Sequence, residues 1–248
     1  MRKYLTLYNV VKRGHSVLYV ARPDRVPESV VSLSILKRFV KALNLKLYLL
    51  VPRNVESVFK EFEGVAESII KYELLLKPLT WLELVKCLDM LSVEMCRKLG
   101  CQVALTPLFR DEMTLFAVLG LLEAAPHIFS EALPVKRGNG ISLARPFYYV
   151  FSSDIVALAY LNGAYLDYES PVRLSEQECV VVKHVYGILW RSRELMYSSR
   201  KSVELLQNVV LANKATCRYC LAKTSMDPCP ICGSLLAKSQ QGLYRTSD

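Results

Sequence analysis

Glycine is scarce in this chain. Ten glycines in 248 residues fall well below the usual share of about 7%. Histidine is rarer still. His15, His127 and His184 lie far apart, so no imidazole pair stands at metal-ligand or catalytic spacing. His184 follows Cys179 by five residues on a predicted helix, which is not one clean face, and packing is the expected role of both. Long hydrophobic runs are missing too. The longest uncharged apolar stretch, Met113 to Leu122, is too short to span a bilayer. The opening Met-Arg-Lys-Tyr leads into no apolar stretch. No signal peptide and no membrane partner are therefore expected, and the expected setting is a reducing cytoplasm. Internal repeats and coiled-coil heptads are absent.

What is present is positive charge, unevenly spread. The formal net charge is +9. Residues 1–60 balance at +9, residues 61–188 at −5 and residues 189–248 at +5. Two basic ends around an acidic middle suit a polyanion if they converge in space. Ordinary solvated cationic faces fit the same composition, and the acidic middle could instead meet a basic partner protein.

Eight cysteines are also present, and four have informative spacing. Cys217-Arg-Tyr-Cys220 is followed by Cys229-Pro-Ile-Cys232-Gly233. Two facing C-x-x-C hooks suit one tetrahedral ion. Gly233 is expected to take the left-handed angle that ends such a turn. Zinc is the expected metal and iron in a rubredoxin-like site the alternative; two disulfides or four free thiols also remain open. Cys87, Cys96, Cys101 and Cys179 have no such spacing and are expected to be core thiols.

The first half alternates β-branched runs with helical periodicity. Ser16–Ala21, Leu45–Val51, Ala66–Tyr72 and Cys101–Thr106 read as strands. Glu28–Leu43 and Asp111–Leu122 read as helices, with a short helix through Phe59 and Phe62. Thr80 and Glu83 form a capping box for a helix stopping at Gly100. This order predicts an α/β fold, a doubly wound parallel sheet, over residues 1–125. Residues 126–213 read as a mainly helical extension of that domain after a loop-rich stretch (124–145). Its helices are expected at Ser153–Leu161, Ser175–Trp190 and Ser192–Ala212. A small four-cysteine zinc ribbon follows over 214–236, and a frayed polar tail over 237–248. Tyr148, Tyr149, Phe151, Tyr160, Tyr165 and Tyr168 crowd one region, where packing is favoured over stacking on bases.

Doubly wound sheets bind ligands beside the first strand–helix turn. Phosphate there needs glycines, so that backbone N–H groups can approach the anion. This turn reads Ala21-Arg22-Pro23-Asp24-Arg25-Val26-Pro27-Glu28-Ser29. It has no glycine and two prolines, each of which removes a donor. Arg22, Arg25 and Ser29 are what remains for an anion.

Three stretches carry a family resemblance. The first is Cys96-Arg-Lys-Leu-Gly-Cys101-Gln-Val-Ala-Leu-Thr106 with Arg110-Asp111-Glu112-Met113-Thr114. The second is Leu143-Ala-Arg145-Pro146-Phe147 running on to Ile155–Tyr160. The third is the paired cysteine hooks. Together they resemble, from about residue 16 to 235, the PP-loop ATP pyrophosphatase superfamily in its tRNA 2-thiolation branch. The departures are as informative. Active members carry Ser-Gly-Gly-x-Asp-Ser after the first strand, where only Glu28-Ser29 echoes the end of the loop. Pro107-Leu108-Phe109 stands where the family has Gly-His-Asn. One family cysteine falls close to Leu84, three residues from Cys87, and the other at Ser170. The usual N-terminal zinc hooks are missing.

A retained scaffold and metal clip without the chemistry resembles the cytoplasmic tRNA 2-thiolation protein 2 family. The resemblance implies a non-catalytic subunit that pairs with a catalytic tRNA thiolase, as a heterodimer or larger, and helps to hold tRNA. No catalytic residue is then expected. The candidate phosphate contacts are Lys136, Arg137, Arg145, Arg218 and Lys223, the competing reading of each being a solvated surface cation. Two other readings stay open. One is a divergent active tRNA sulfurtransferase using Arg22, Arg25 and Ser29 with Cys87 or Cys179 as nucleophile. The other is a zinc-ribbon nucleic-acid binder on an unrelated scaffold.

Overall fold

A computed structural model describes residues 9–76, 79–163, 175–189, 192–239 and 242–247. Tyr165, Tyr168, Ser170 and Trp190, which figure in the sequence reading, lie outside the described residues. The first half runs β1 (Ser16–Val20), α1 (Val26–Leu43), β2 (Lys46–Pro52), a 3-10 segment (Arg53–Phe62), β3 (Ser68–Leu74), α2 (Trp81–Leu99), β4 (Val103–Leu105) and α3 (Arg110–Leu122). Helix α1 opens at Val26, two residues earlier than its apolar periodicity suggests. Pro27 sits in its first turn, where a missing N–H breaks no helical bond. The α2 capping box forms as expected. Glu83 N donates to Thr80 Oγ1 at 3.2 Å and Thr80 N to Glu83 Oε2 at 2.9 Å. Gly100 ends the helix at φ +66°.

The second half adds α4 (Pro126–Phe129), β5 (Val135–Gly138), β6 (Ile141–Ala144), α5 (Ser152–Leu161), α6 (Glu176–Leu189) and α7 (Arg193–Val210). The cysteine region contributes β7 (Ala215–Thr216), β8 (Lys223–Thr224) and α8 (Pro230–Lys238), and β9 (Tyr244–Ser247) follows. Two expectations are corrected here. The loop-rich stretch contains the β5–β6 hairpin, and the tail expected to fray supplies β9, paired antiparallel to β3.

Among the described residues, seven strands form one sheet in the order β5-β6-β4-β1-β2-β3-β9. The five inner strands run parallel, and each edge strand is antiparallel to its neighbour. The α/β doubly wound parallel architecture is therefore present, finished by two antiparallel edges. Side chains alternate between its faces. Val17, Tyr19, Leu47 and Leu49 pack with α1 and α3. Leu18, Val20 and Leu50 face α2 and the four clustered cysteines.

The cysteine region is docked onto that second face. Lys238 pairs with Glu83 at 2.7 Å, Arg97 Nη2 donates to Arg218 O at 3.1 Å, and Lys223 N donates to Ser130 Oγ at 2.9 Å. Gly138 permits the approach from β5. A Cβ there would stand 3.0 Å from Leu221 Cδ2 and 3.2 Å from Thr216 Cγ2.

Candidate functional site

The cysteine hooks converge. Cys217 and Cys220 follow β7, Cys229 caps α8, and Cys232 lies in its first turn. Their four sulfurs lie within 4.8 Å of one another and all four residues are buried. The Cys220 and Cys229 sulfurs are 3.8 Å apart. A tetrahedral ion with bonds of about 2.3 Å requires sulfurs about 3.8 Å apart, so the donor set could hold one metal ion. The turn is closed by backbone bonds from Leu221 N to Cys217 O at 3.0 Å and from Cys217 N to Ala222 O at 2.9 Å. Leu221 takes the left-handed angle, φ +57°. The expectation for Gly233 is corrected: it lies inside α8, because the second hook opens a helix instead of closing a turn. Hydrogen bonds from the other three sulfurs draw the Cys217 thiol far down from its ordinary range. The same bonds push the Cys229 and Cys232 thiols up, so the four share their protons unevenly; an ion would hold them as thiolates, the form that ligates metal.

A buried ion cluster adjoins these sulfurs. Lys86 Nζ donates to His127 O at 2.8 Å and to Cys220 Sγ at 3.7 Å, and it also bonds Glu131. Lys136 bonds Asp89 and, at 2.7 Å, Glu131. Arg145 reaches both oxygens of Asp89 at 2.8 Å and Glu131 at 3.0 Å. Lys136 and Arg145 are consequently corrected as phosphate contacts. Both are buried and their charge is already matched inside the protein. Arg137 is exposed. Arg218 is exposed and held by Asp227 at 2.8 Å. Lys223 is half-buried, with its ammonium 3.0 Å from Thr216 Oγ1.

The sheet changes direction between β1 and β4, since β2 and β3 extend one side and β6 and β5 the other. A ligand crevice is expected beyond the carboxyl ends of these two strands. There Arg22 reaches across from the β1–α1 turn. Its Nη1 donates to Glu112 Oε2 at 2.8 Å and Pro107 O at 3.1 Å; its Nη2 meets Asp24 at 2.6 Å. Arg22 N donates to Ser29 Oγ at 3.0 Å. Arg25 adds contacts to Glu28 at 3.1 Å and Glu112 at 3.7 Å. Two buried tyrosines pin the turn: Tyr19 OH donates to Ser29 O and Tyr72 OH to Ala21 O, each at 2.7 Å. Glu112 also accepts from Phe109 N at 3.0 Å, capping α3. Burial pushes its carboxyl up, while Arg22 and Arg25 pull it back. The sequence-predicted remnants of a phosphate loop are thus brought together, but onto carboxylates and each other.

The neighbouring Asp111 is also structural in its contacts. It accepts from Ser152 N at 2.9 Å and Tyr186 OH at 2.6 Å, tying α5 and α6 to α3. Cys87 is fully buried, and burial pushes its thiol up to about 12. A thiol so rarely ionised is a poor nucleophile. Cys179 is half-buried and His184 exposed on α6. Tyr148 and Phe151 are buried, Tyr149 is half-buried and Tyr160 is exposed.

The chain is similar to the U34-tRNA thiolase NcsA from Methanococcus maripaludis, a structure described with its 4Fe–4S cluster. The TM-score is 0.69 at 12% identity, over 95% of this chain and 86% of that one. This is a PP-loop-type fold. At such low identity the likeness concerns architecture. No family model and no curated protein matches the sequence. Within the PP-loop-type fold, residues at the crevice escaped sequence reasoning. Arg22 and Arg25 were legible as cations, but Glu112, Tyr19 and Tyr72 carried no local signal of their meeting. The same holds for Lys86, Asp89 and Glu131.

Proposed function

We propose that this chain is a non-catalytic subunit of a tRNA wobble-uridine 2-thiolation complex. It scaffolds a catalytic thiolase, which adenylates the uridine and delivers sulfur, and it helps to hold the tRNA. The observation that carries this reading is the Arg22–Glu112 pair lying across the switch point of a fold shared with a tRNA thiolase. A triphosphate entering there would have to displace a guanidinium from two carboxylates and find backbone donors in a turn with two prolines. The buried, rarely ionised Cys87 supports the same conclusion.

Zinc is the proposed metal. Sulfurs within 4.8 Å of one another suit a single ion better than the more widely spaced ligands of a polynuclear cluster. The ion's role is structural, since all four ligands come from protein and no coordination position stays open. Arg137, Arg218 and Lys223 are the remaining candidates for phosphate contact, joined by the exposed Arg97 and Lys98 beside the hooks. Phosphate contacts of this kind weaken steeply with salt. The reading places the chain in the cytoplasm. No helix among the described residues is long and apolar enough to cross a membrane.

Affinity purification from native cells tests the proposal, with RNA and metal analysis of the recovered complex and ATP–pyrophosphate exchange on the isolated chain. Recovery of a thiolase bearing a full glycine loop, together with tRNA, is expected, and no exchange by the chain alone. Recovery of the chain by itself, turning over ATP, would overturn it.

A further inference from the structure

Lys86 is a lysine with no exposed atom. Its ammonium has three N–H groups and three acceptors: His127 O at 2.8 Å, Glu131, and Cys220 Sγ at 3.7 Å. No donor is left over, so the contact with sulfur is one of the three directions that the group must satisfy. Among the described residues, three cations, Lys86, Lys136 and Arg145, pair with two carboxylates, Asp89 and Glu131.

A divalent ion held by four thiolates carries two net negative charges. Burying such a group without compensation is costly. Groups that hydrogen-bond metal ligands orient them and tune the metal. An ammonium donating to a metal-bound sulfur draws electron density from it. That sulfur is then a weaker base toward protons and a weaker nucleophile toward electrophiles, the two routes by which a thiolate leaves its metal.

We propose that Lys86 is a positioning residue of the metal centre, whose N–H···S bond to Cys220 retains the ion and shields that thiolate. This rests on the metal reading given above and is independent of the tRNA reading.

The test uses the full chain loaded with zinc, with release timed by a colorimetric chelator. Cobalt-substituted protein supplies a second readout, the thiolate-to-metal charge-transfer absorption. Four variants separate the sulfur contact from general damage to the cluster. Lys86→Met removes the donor. Lys86→Met with Glu131→Gln removes it together with one carboxylate, so the net charge of the cluster is unchanged, and it serves if the single variant does not fold. Lys136→Met disturbs both carboxylates without touching sulfur. Release about 10–100-fold faster and a shifted cobalt band are expected for the two variants that carry Lys86→Met. Lys136→Met is expected to lower the thermal midpoint while leaving release from the folded protein close to wild type. Lys86→Arg, which keeps the charge and N–H donors, should restore slow release. The proposal is overturned if the double variant releases zinc at the wild-type rate, if Lys136→Met accelerates release equally, or if Lys86→Arg releases zinc as fast as Lys86→Met. A wild-type chain that binds no metal at all would sink the metal reading itself.

Discussion

Arg22 and Glu112 are 90 residues apart in sequence and meet at 2.8 Å, with neither side chain exposed. The pair closes the switch point between β1 and β4. Removing one partner strands the other charge in the interior. Arg22→Ala is expected to destabilise the fold by about 3–5 kcal/mol, read from urea unfolding. Arg22→Met with Glu112→Gln should recover most of that loss. A loss below about 1 kcal/mol in the single variant would mean that the crevice is wetter than its geometry indicates.

The turn itself should be closed to nucleotide. Titration calorimetry of the isolated chain with ATP and magnesium is expected to show no saturable heat. Saturable binding that Arg22→Ala abolishes would show Arg22 gripping phosphate instead of Glu112.

Thr80 tests the local code of α2. Its hydroxyl accepts from Glu83 N at 3.2 Å. Thr80→Ala should cost about 1 kcal/mol without altering metal content, as thermal and chemical unfolding would report.

His127 sets a pH dependence. Burial and the nearby Lys86 lower its imidazole to about 4, against about 6.5 in the unfolded chain. Between these values the unfolded state binds more protons, so stability falls as pH drops from about 6.5 through about 4. Thermal melts across that range should show His127→Gln losing less stability on acidification than the wild type. Parallel curves would place His127 in water.

Strand β9 covers the outer edge of β3, and Tyr244 OH bonds Glu94. Deleting residues 242–248 exposes a row of unpaired backbone groups, a template for association. A lower melting midpoint and increased light scattering on heating are expected. An unchanged monomeric melt would count against β9 as a structural strand.

Periodicity and capping made the inner sheet and its helices legible, because an inner parallel strand is apolar on both faces and a box such as Thr80–Glu83 is local. The edge strands were hidden by their composition. Val135–Gly138 is four residues ending in glycine, and Tyr-Arg-Thr-Ser has no buried face to announce it. Hook spacing revealed the four converging cysteines for the same local reason. Lys136 and Arg145 misled because their partners, Asp89 and Glu131, come from α2 and the turn after α4. A charge looks like surface until its non-local counter-ion is known. Gly233 misled through a chemical habit: glycine is the usual left-handed residue, but here Leu221 takes that role.

Strand β9 follows the cysteine hooks in the chain and pairs with a strand laid down some 170 residues earlier. During synthesis, therefore, β3 waits with an open flank until the region beyond the hooks has emerged. A ribosome-bound intermediate would be most vulnerable to mispairing at that flank, and early capture of the ion would shorten the search by holding the last segment near its berth.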